Sequence, residues 1–318
     1  MDQALVHPET PRIKIASMSP RTRLAIVSAL LLLIPFTARA EDSGLSAVLV
    51  QGDDWKVAID GLGFADGAST DKAGNLYFSD LKSKPAVIYR LTTDGKREKV
   101  AEAGMSGTKI GPDGRLYACG GGKVAVFDVN NGKETVLAEG LKTNDIAINS
   151  RGQIYITETG KKQVTFIDIK TGKAEAADIG INKPNGIAFA PDQNTLYVSD
   201  YGGLNVWSFK VQPDGKLTDK KPWATMKAPE KKPDVAGGDG MTVDASGRAY
   251  VTTALGLQIF DADGKLLGIL PKPQDAPLTN VALAGPGHST LYITCGNKVF
   301  SRKTQTTAAL VILPGGGK

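Results

Sequence analysis

The chain has 318 residues, 41% of them hydrophobic and 22% charged, with a formal net charge of +5. That is enough apolar material for a large core, and the even spread of turn residues points to one domain. The first forty residues carry five Lys/Arg and two acids, so the remainder holds 33 basic against 31 acidic side chains, a net of +2, which argues against nucleic acid or an anionic membrane as the partner.

Residues 1–40 read as a leader. Arg21 and Arg23 precede an apolar run over residues 24–34, and Ala38-Arg39-Ala40 supplies the small residues that a signal peptidase requires. The run is shorter than the roughly 20 apolar residues of a spanning helix. Cleavage after Ala40, export to the periplasm or beyond, and no stable membrane insertion afterwards are expected; a retained anchor is the competing reading. Met18 is an alternative start. Residues 41–318 are expected to form the folded domain.

From there the chain repeats. Tyr77, Tyr117, Tyr155, Tyr197, Tyr250 and Tyr292 follow one another at spacings of 40, 38, 42, 53 and 42 residues. A turn precedes each tyrosine (KAGN, GPDGR, NSRGQ, APDQNT, DASGR, GPGHST), and an apolar or alternating run such as DIAIN, GIAFA, GMTVD or NVALA precedes that turn. A second hairpin follows the first five, turning at Asp94-Gly95, Asn131-Gly132, Thr171-Gly172, Asp214-Gly215 and Asp263-Gly264, where glycine supplies the positive φ of a tight turn. Each unit is thus four short antiparallel strands, A to D, and six units of this size predict an all-β fold, a six-bladed β-propeller. Either residues 55–60 (WKVAID) or the C-terminal AALVIL supplies the outermost strand of the sixth blade.

Blade geometry limits the remaining chemistry. Only Cys119, Cys295, His7 and His288 are present, and with His7 expected to be lost with the leader the remaining three are too few for a Cys/His zinc site. The two cysteines fall in blades that do not touch, so no disulfide is expected. A Ser-His-Asp triad would have to use His288, which stands in a turn. Gly120-Gly121-Gly122-Lys123 lacks the following Ser/Thr and helix of a phosphate loop. Lys96, Lys133, Lys173, Lys216 and Lys265 follow the second-hairpin turns and form a solvated rim on one face.

Counting back eleven or twelve residues from each tyrosine gives Asp66, Ser106, Asn144, Asn185, Asp239 and Asn280, all at the entrance of strand A. That strand lies nearest the axis, so these side chains should converge at the mouth of the central channel, on the face opposite the lysine rim. A ring of hard oxygens suits Ca²⁺ or Mg²⁺; the alternative is that Asn and Asp satisfy local backbone groups. A second row, three residues after each tyrosine, holds Asp80, Gly120, Glu158, Asp200, Thr253 and Cys295, and is expected to bind the connecting loops.

The strings DGASTDKAGNLYFSD, TNDIAINSRGQIYITE, KPNGIAFAPDQNTLYVSD, GDGMTVDASGRAYVTT and GLQIFDADGKLLGI resemble the senescence-marker-protein, gluconolactonase and luciferin-regenerating-enzyme family over the chain from about Leu62 onward. The resemblance implies a six-bladed propeller with one divalent cation in its channel, Ca²⁺ first and Mg²⁺, Mn²⁺ or Zn²⁺ as alternatives, held by Asp66, Asn144, Asn185 and Asp239. The first of these is usually Glu in the family, so Asp66 is shorter in reach and a water bridge is the alternative to direct coordination. The family often has Arg where this chain has Lys142, which keeps the charge and loses the planar fork. The implied activity is a metal-dependent hydrolase, a lactonase acting on a sugar lactone or related small cyclic ester. Asp239 would be the general base, with Asn144, Lys142 and Asn280 orienting the substrate. The alternative is a non-catalytic propeller that binds a metal or small ligand with the same ring. Residues 227–233, rich in Lys and Pro, are a lid or a solvated linker on the site face.

Overall fold

The computed structural model describes residues 44–311; the leader expected over residues 1–40 lies outside them. The described strands form six antiparallel four-stranded sheets. Their inner strands are Ala65–Thr70, Gly107–Ile110, Ile146–Ile148, Pro184–Phe189, Met241–Val243 and Leu278–Ala284. Each packs against the inner strands of the blades on either side, and the sixth returns to the first, so the sheets close into a six-bladed β-propeller, as the repeat predicted.

The repeated tyrosines explain why the blades are alike. Five are buried, from Tyr77 and Tyr155 at 0% exposure to Tyr197 at 6%, and several use the hydroxyl to pin the turn ahead of them. The phenol of Tyr77 donates to the Asp71 carboxylate at 3.0 Å, that of Tyr117 to Asp113 at 2.9 Å and that of Tyr250 to Asp244 at 2.9 Å. A buried tyrosine needs such a partner for its polar end. The glycines of the second hairpin have the positive φ expected of them, 88° at Gly95 and 71° at Gly132.

Apolar side chains fill the seams between blades rather than a single centre. Six clusters occupy them; Ile187, Leu196 and Phe209 of blade four, for example, pack with Tyr155 and Val164 of blade three. Burying each such side chain contributes about 1.5–3 kcal/mol, and the sum over six seams holds the ring together.

The N-terminal candidate closes the sixth blade. Lys56–Ile59 pairs antiparallel with Lys298–Lys303, with Lys56 opposite Ser301 and Val57 opposite Phe300. The C-terminal candidate runs elsewhere: Ala308 bridges to Asp244, and Ala309 and Val311 lie across the rear of the channel beside Lys109 and Thr242. Pairing residues from both ends of the chain in one blade replaces two exposed strand edges by a closed ladder. Cys119 and Cys295 are both buried free thiols. His288 lies in a 3-10 turn at the rear, with a ring nitrogen 2.7 Å from the Asp71 carbonyl oxygen. Among the described residues, no helix is long and apolar enough to cross a membrane.

Candidate metal centre and adjoining cavity

The six counted positions stand where the chain enters each inner strand, on the face where the blades connect. Asn185 and Asn280 are buried, at 7% and 5% exposure, while Asp66, Asn144 and Asp239 are partly exposed. Close approach of the backbones makes this convergence possible. A Cβ on Gly186 would lie 2.2 Å from the Asp239 carbonyl oxygen, and one on Gly240 would lie 2.5 Å from the Asn280 side chain. Glycine follows the ring residue in four blades because only hydrogen fits there.

The ring residues use their side chains differently. One Asp66 carboxylate oxygen accepts from the Gly67 amide at 2.8 Å, and the Asn280 side-chain oxygen accepts from the Val281 amide at 2.9 Å. Ser106 is turned away from a ligand role, donating its hydroxyl to the Asn144 carbonyl at 2.6 Å. Among the described residues no hydrogen bond ties the Asn144 side chain to a neighbour, so its carboxamide is available to a ligand.

Electrostatics unite the acids of the channel. Desolvation, with the charge of Asp145 added, pushes the Asp66 carboxyl up to about 7, against the opposing hydrogen bond from Gly67. Asp239 is raised well above the ordinary carboxylate range by desolvation and then by the charges of Asp66 and Asp145. No lysine or arginine forms an ion pair with either among the described residues. Confined carboxylates without a countercharge are costly, and a cation would remove that cost.

Whether these residues fit a divalent cation therefore turns on the donor set. Among the described residues no group of three or more His, Cys, Asp or Glu could hold a metal ion, so the acids alone do not suffice. Two carboxylates together with the carboxamides of Asn144 and Asn185 give oxygen donors only, with enough negative charge to balance a divalent ion. That set fits a hard cation such as Ca²⁺.

Two channel residues escaped the sequence reading. Asp145 is 6% exposed, with carboxylate oxygens accepting from the amides of Ile146 at 2.9 Å and Ile187 at 3.3 Å; desolvation raises it to about 6, eased by Lys109. Lys109 is pushed down from the ordinary lysine range by desolvation, with Asp145 opposing. The available signal was the residue after the ring position, glycine in four blades and an acid in the third.

The second row binds loops. Asp80 accepts from the amides of Gly63 and Phe64, each at 3.0 Å, Glu158 from the amide of Lys142 at 2.8 Å, and Asp200 from that of Lys183 at 2.9 Å. Each carboxylate anchors the segment that leads into its own blade. Lys142 itself is exposed. Residues 227–233 are tied at their root, where the Gln258 side chain exchanges hydrogen bonds with the backbone of Lys227 at 2.6 and 2.8 Å.

Beside the ring, a cavity of about 320 Å³ is lined by Asp239 with Tyr201, Thr253, Lys272 and Asp275 among others. It is built by blades four to six, so Lys142 and Asn144 of blade three lie outside its walls.

A family model described as the SMP-30/gluconolactonase/LRE-like region matches residues 64–297. Gluconolactonase from Zymomonas mobilis subsp. mobilis is 27% identical over 304 residues, covering 82% of this chain and 84% of the relative. Pentonolactonase from Haloferax volcanii is 24% identical over 230 residues, covering 69% and 76%. Among solved structures, a gluconolactonase from Xanthomonas campestris superposes with a TM-score of 0.70 at 24% identity, over 82% of this chain and 93% of the other, which is a likeness of fold.

Proposed function

Since the chain belongs to the SMP-30/gluconolactonase/LRE-like family, we propose that it is a lactonase that opens a sugar lactone or a related small cyclic ester. The observation that carries this reading is the position of Asp239, which stands in the ring and also lines the adjoining cavity. The named activities of the Zymomonas and Haloferax relatives support it.

Asp66, Asn144, Asn185 and Asp239 would hold a divalent cation, Ca²⁺ being the best match to an all-oxygen set. When bound, that ion supplies Lewis-acid polarisation of the ester carbonyl. The chain's own groups supply the rest. The Asp239 carboxylate takes a proton from the water that attacks the lactone carbonyl, the bond from that carbon to the ring oxygen breaks, and the same proton is returned to the departing oxygen, leaving a hydroxy acid. Asn280, buried, with its side-chain oxygen held by the Val281 amide and its side chain hydrogen-bonded to the Asp66 carboxyl, would help orient the substrate from within the ring, and Lys142 would add positive charge at the rim. The leader-like N-terminus makes this an exported activity.

Hydrolysis of a panel of neutral lactones tests the proposal. Asp239→Asn is expected to lose at least about 100-fold in kcat, the usual size of a general-base contribution. Undiminished turnover by the variant would contradict the assignment. Cation binding without turnover of any lactone would favour the alternative of a non-catalytic binding propeller.

A further inference from the structure

The cavity beside Asp239 has a second pole. Lys272 follows directly on the outer strand Leu266–Pro271 of blade five, and its side chain is 29% exposed within the cavity wall. The carboxylate it faces, Asp275, is 3.9 Å away on a fully exposed side chain, an arrangement that holds a cation only weakly. Lys272 is therefore free to meet an anion inside the cavity. Lys142 and Lys183, on the segments that lead into blades three and four, are exposed and make no ion pair among the described residues.

Tyr201 completes the arrangement. Its backbone is fixed, with the amide donating to the Lys183 carbonyl at 2.9 Å, while its ring is left 41% exposed at the cavity edge. A half-open aromatic ring carried on a held backbone at a concave surface is a platform for the apolar face of a small cyclic ligand. The volume, about 320 Å³, is at the lower end of the ~300–1,000 Å³ of sites that enclose small ligands, and so suits a single ring with short substituents.

Building on the lactonase reading, we infer that this cavity selects sugar lactones that carry an anionic substituent, with Tyr201 against the ring and Lys272 on the charged group while the ester carbonyl faces Asp239. Asp239 enters the cavity from the start of an inner strand, whereas Lys272, with Asp275 loosely paired to it, enters from the end of an outer strand. A neutral lactone leaves Lys272 only its loose pairing with Asp275 at 3.9 Å, and a lactone with a carboxylate or phosphate at the far end supplies a closer charged partner. Both groups share the chemistry that Lys272 recognises, and they differ in size and charge.

The test compares kcat/KM for neutral glucono-1,5-lactone with that for glucaro-1,4-lactone, which bears a carboxylate, and 6-phosphogluconolactone, which bears a phosphate, with Ca²⁺ supplied. The wild-type protein is expected to favour at least one anionic lactone over the neutral one by tenfold or more, and the favoured arm identifies the group. Lys272→Gln is expected to lower that anionic-to-neutral ratio at least tenfold, and Lys265→Gln on the opposite face to leave it within twofold. A wild-type preference for the neutral lactone, or a ratio that Lys272→Gln does not change, overturns the inference and leaves the lactonase reading standing. If no lactone is hydrolysed, that reading fails instead, and calorimetry with the open-chain glucarate and gluconate decides the subsite. Tighter glucarate binding that Lys272→Gln abolishes upholds it; equal or absent binding overturns it.

Discussion

The Ser199 hydroxyl donates to the Asp239 carbonyl at 2.7 Å, across the seam between the fourth and fifth blades. Thr157 makes the same bond to the Asn185 carbonyl at 2.6 Å, and Thr252 reaches the Thr279 carbonyl, next to Asn280, at 3.1 Å. All three stand two residues after a repeat tyrosine. A row of strand-B hydroxyls thus fixes the backbone of the ring residue in the following blade, and so fixes where its side chain points.

Removing one of these hydroxyls leaves a buried carbonyl with weaker partners. Ser199→Ala is expected to lower the unfolding free energy by about 1–2 kcal/mol, measured by urea denaturation. It should also lower kcat more than it raises KM, because the displaced group is Asp239. Ser199→Thr should restore both. Stability lost with kcat intact would show that the bond holds the seam and does not position the acid.

Gly186→Ala tests the close approach itself. Its Cβ would stand 2.2 Å from the Asp239 carbonyl oxygen, a backbone atom that cannot swing aside. Overpacking of this kind costs about 1–3 kcal/mol, so a lower melting temperature and a weaker affinity for Ca²⁺ are expected together. A variant with unchanged calcium affinity would separate the glycine from the site.

The fold was legible because the tyrosines recur for a physical reason: five of the six are buried in the blades, and the hydroxyls of Tyr77, Tyr117 and Tyr250 clamp the turn ahead of them, so spacing marked blades. The ring followed by counting, since each side chain enters from an equivalent place. Asp145 escaped that count by one residue, and Lys109 stood inside an ordinary inner strand whose channel-facing side was not marked by periodicity. Tyr201 and Lys272 lie in connections whose lengths differ between blades, where no repeat aligns them, so the cavity had no signature in sequence. Which end of the chain closes blade six was equally hidden, because both candidate segments are short and apolar enough to pair.

Asp80 gives the loops a dependence on pH. Burial alone would raise its carboxyl, yet the amides of Gly63, Phe64, Lys82 and Ser83 hold it below the ordinary value of 3.8. A depressed native value means that its stabilisation is complete above the unfolded value and is lost as pH falls through the native one. Asp80→Asn is therefore expected to cost about 2 kcal/mol near neutrality, with the difference from the parent shrinking as pH falls below 3.8. A difference that stays constant into strong acid would contradict the linkage.

The export proposal is checked at the N-terminus. Expressed with its own leader, the mature protein is expected to begin at Glu41, as read by N-terminal sequencing or intact mass. A chain that retains Arg21, Arg23 and the apolar run would instead support the anchor.

The central claim is that Asp66, Asn144, Asn185 and Asp239 hold one divalent cation on which lactone hydrolysis depends. The most direct measurement is the hydrolysis rate of chelator-treated protein as Ca²⁺ is added back, beside calorimetry of the same titration. The expected result is negligible activity without the ion, recovery that saturates at one Ca²⁺ per chain, and loss of both binding and recovery in Asp66→Ala and Asn185→Ala. Full activity in the metal-free protein, or calcium binding unaffected by those two substitutions, would contradict the account.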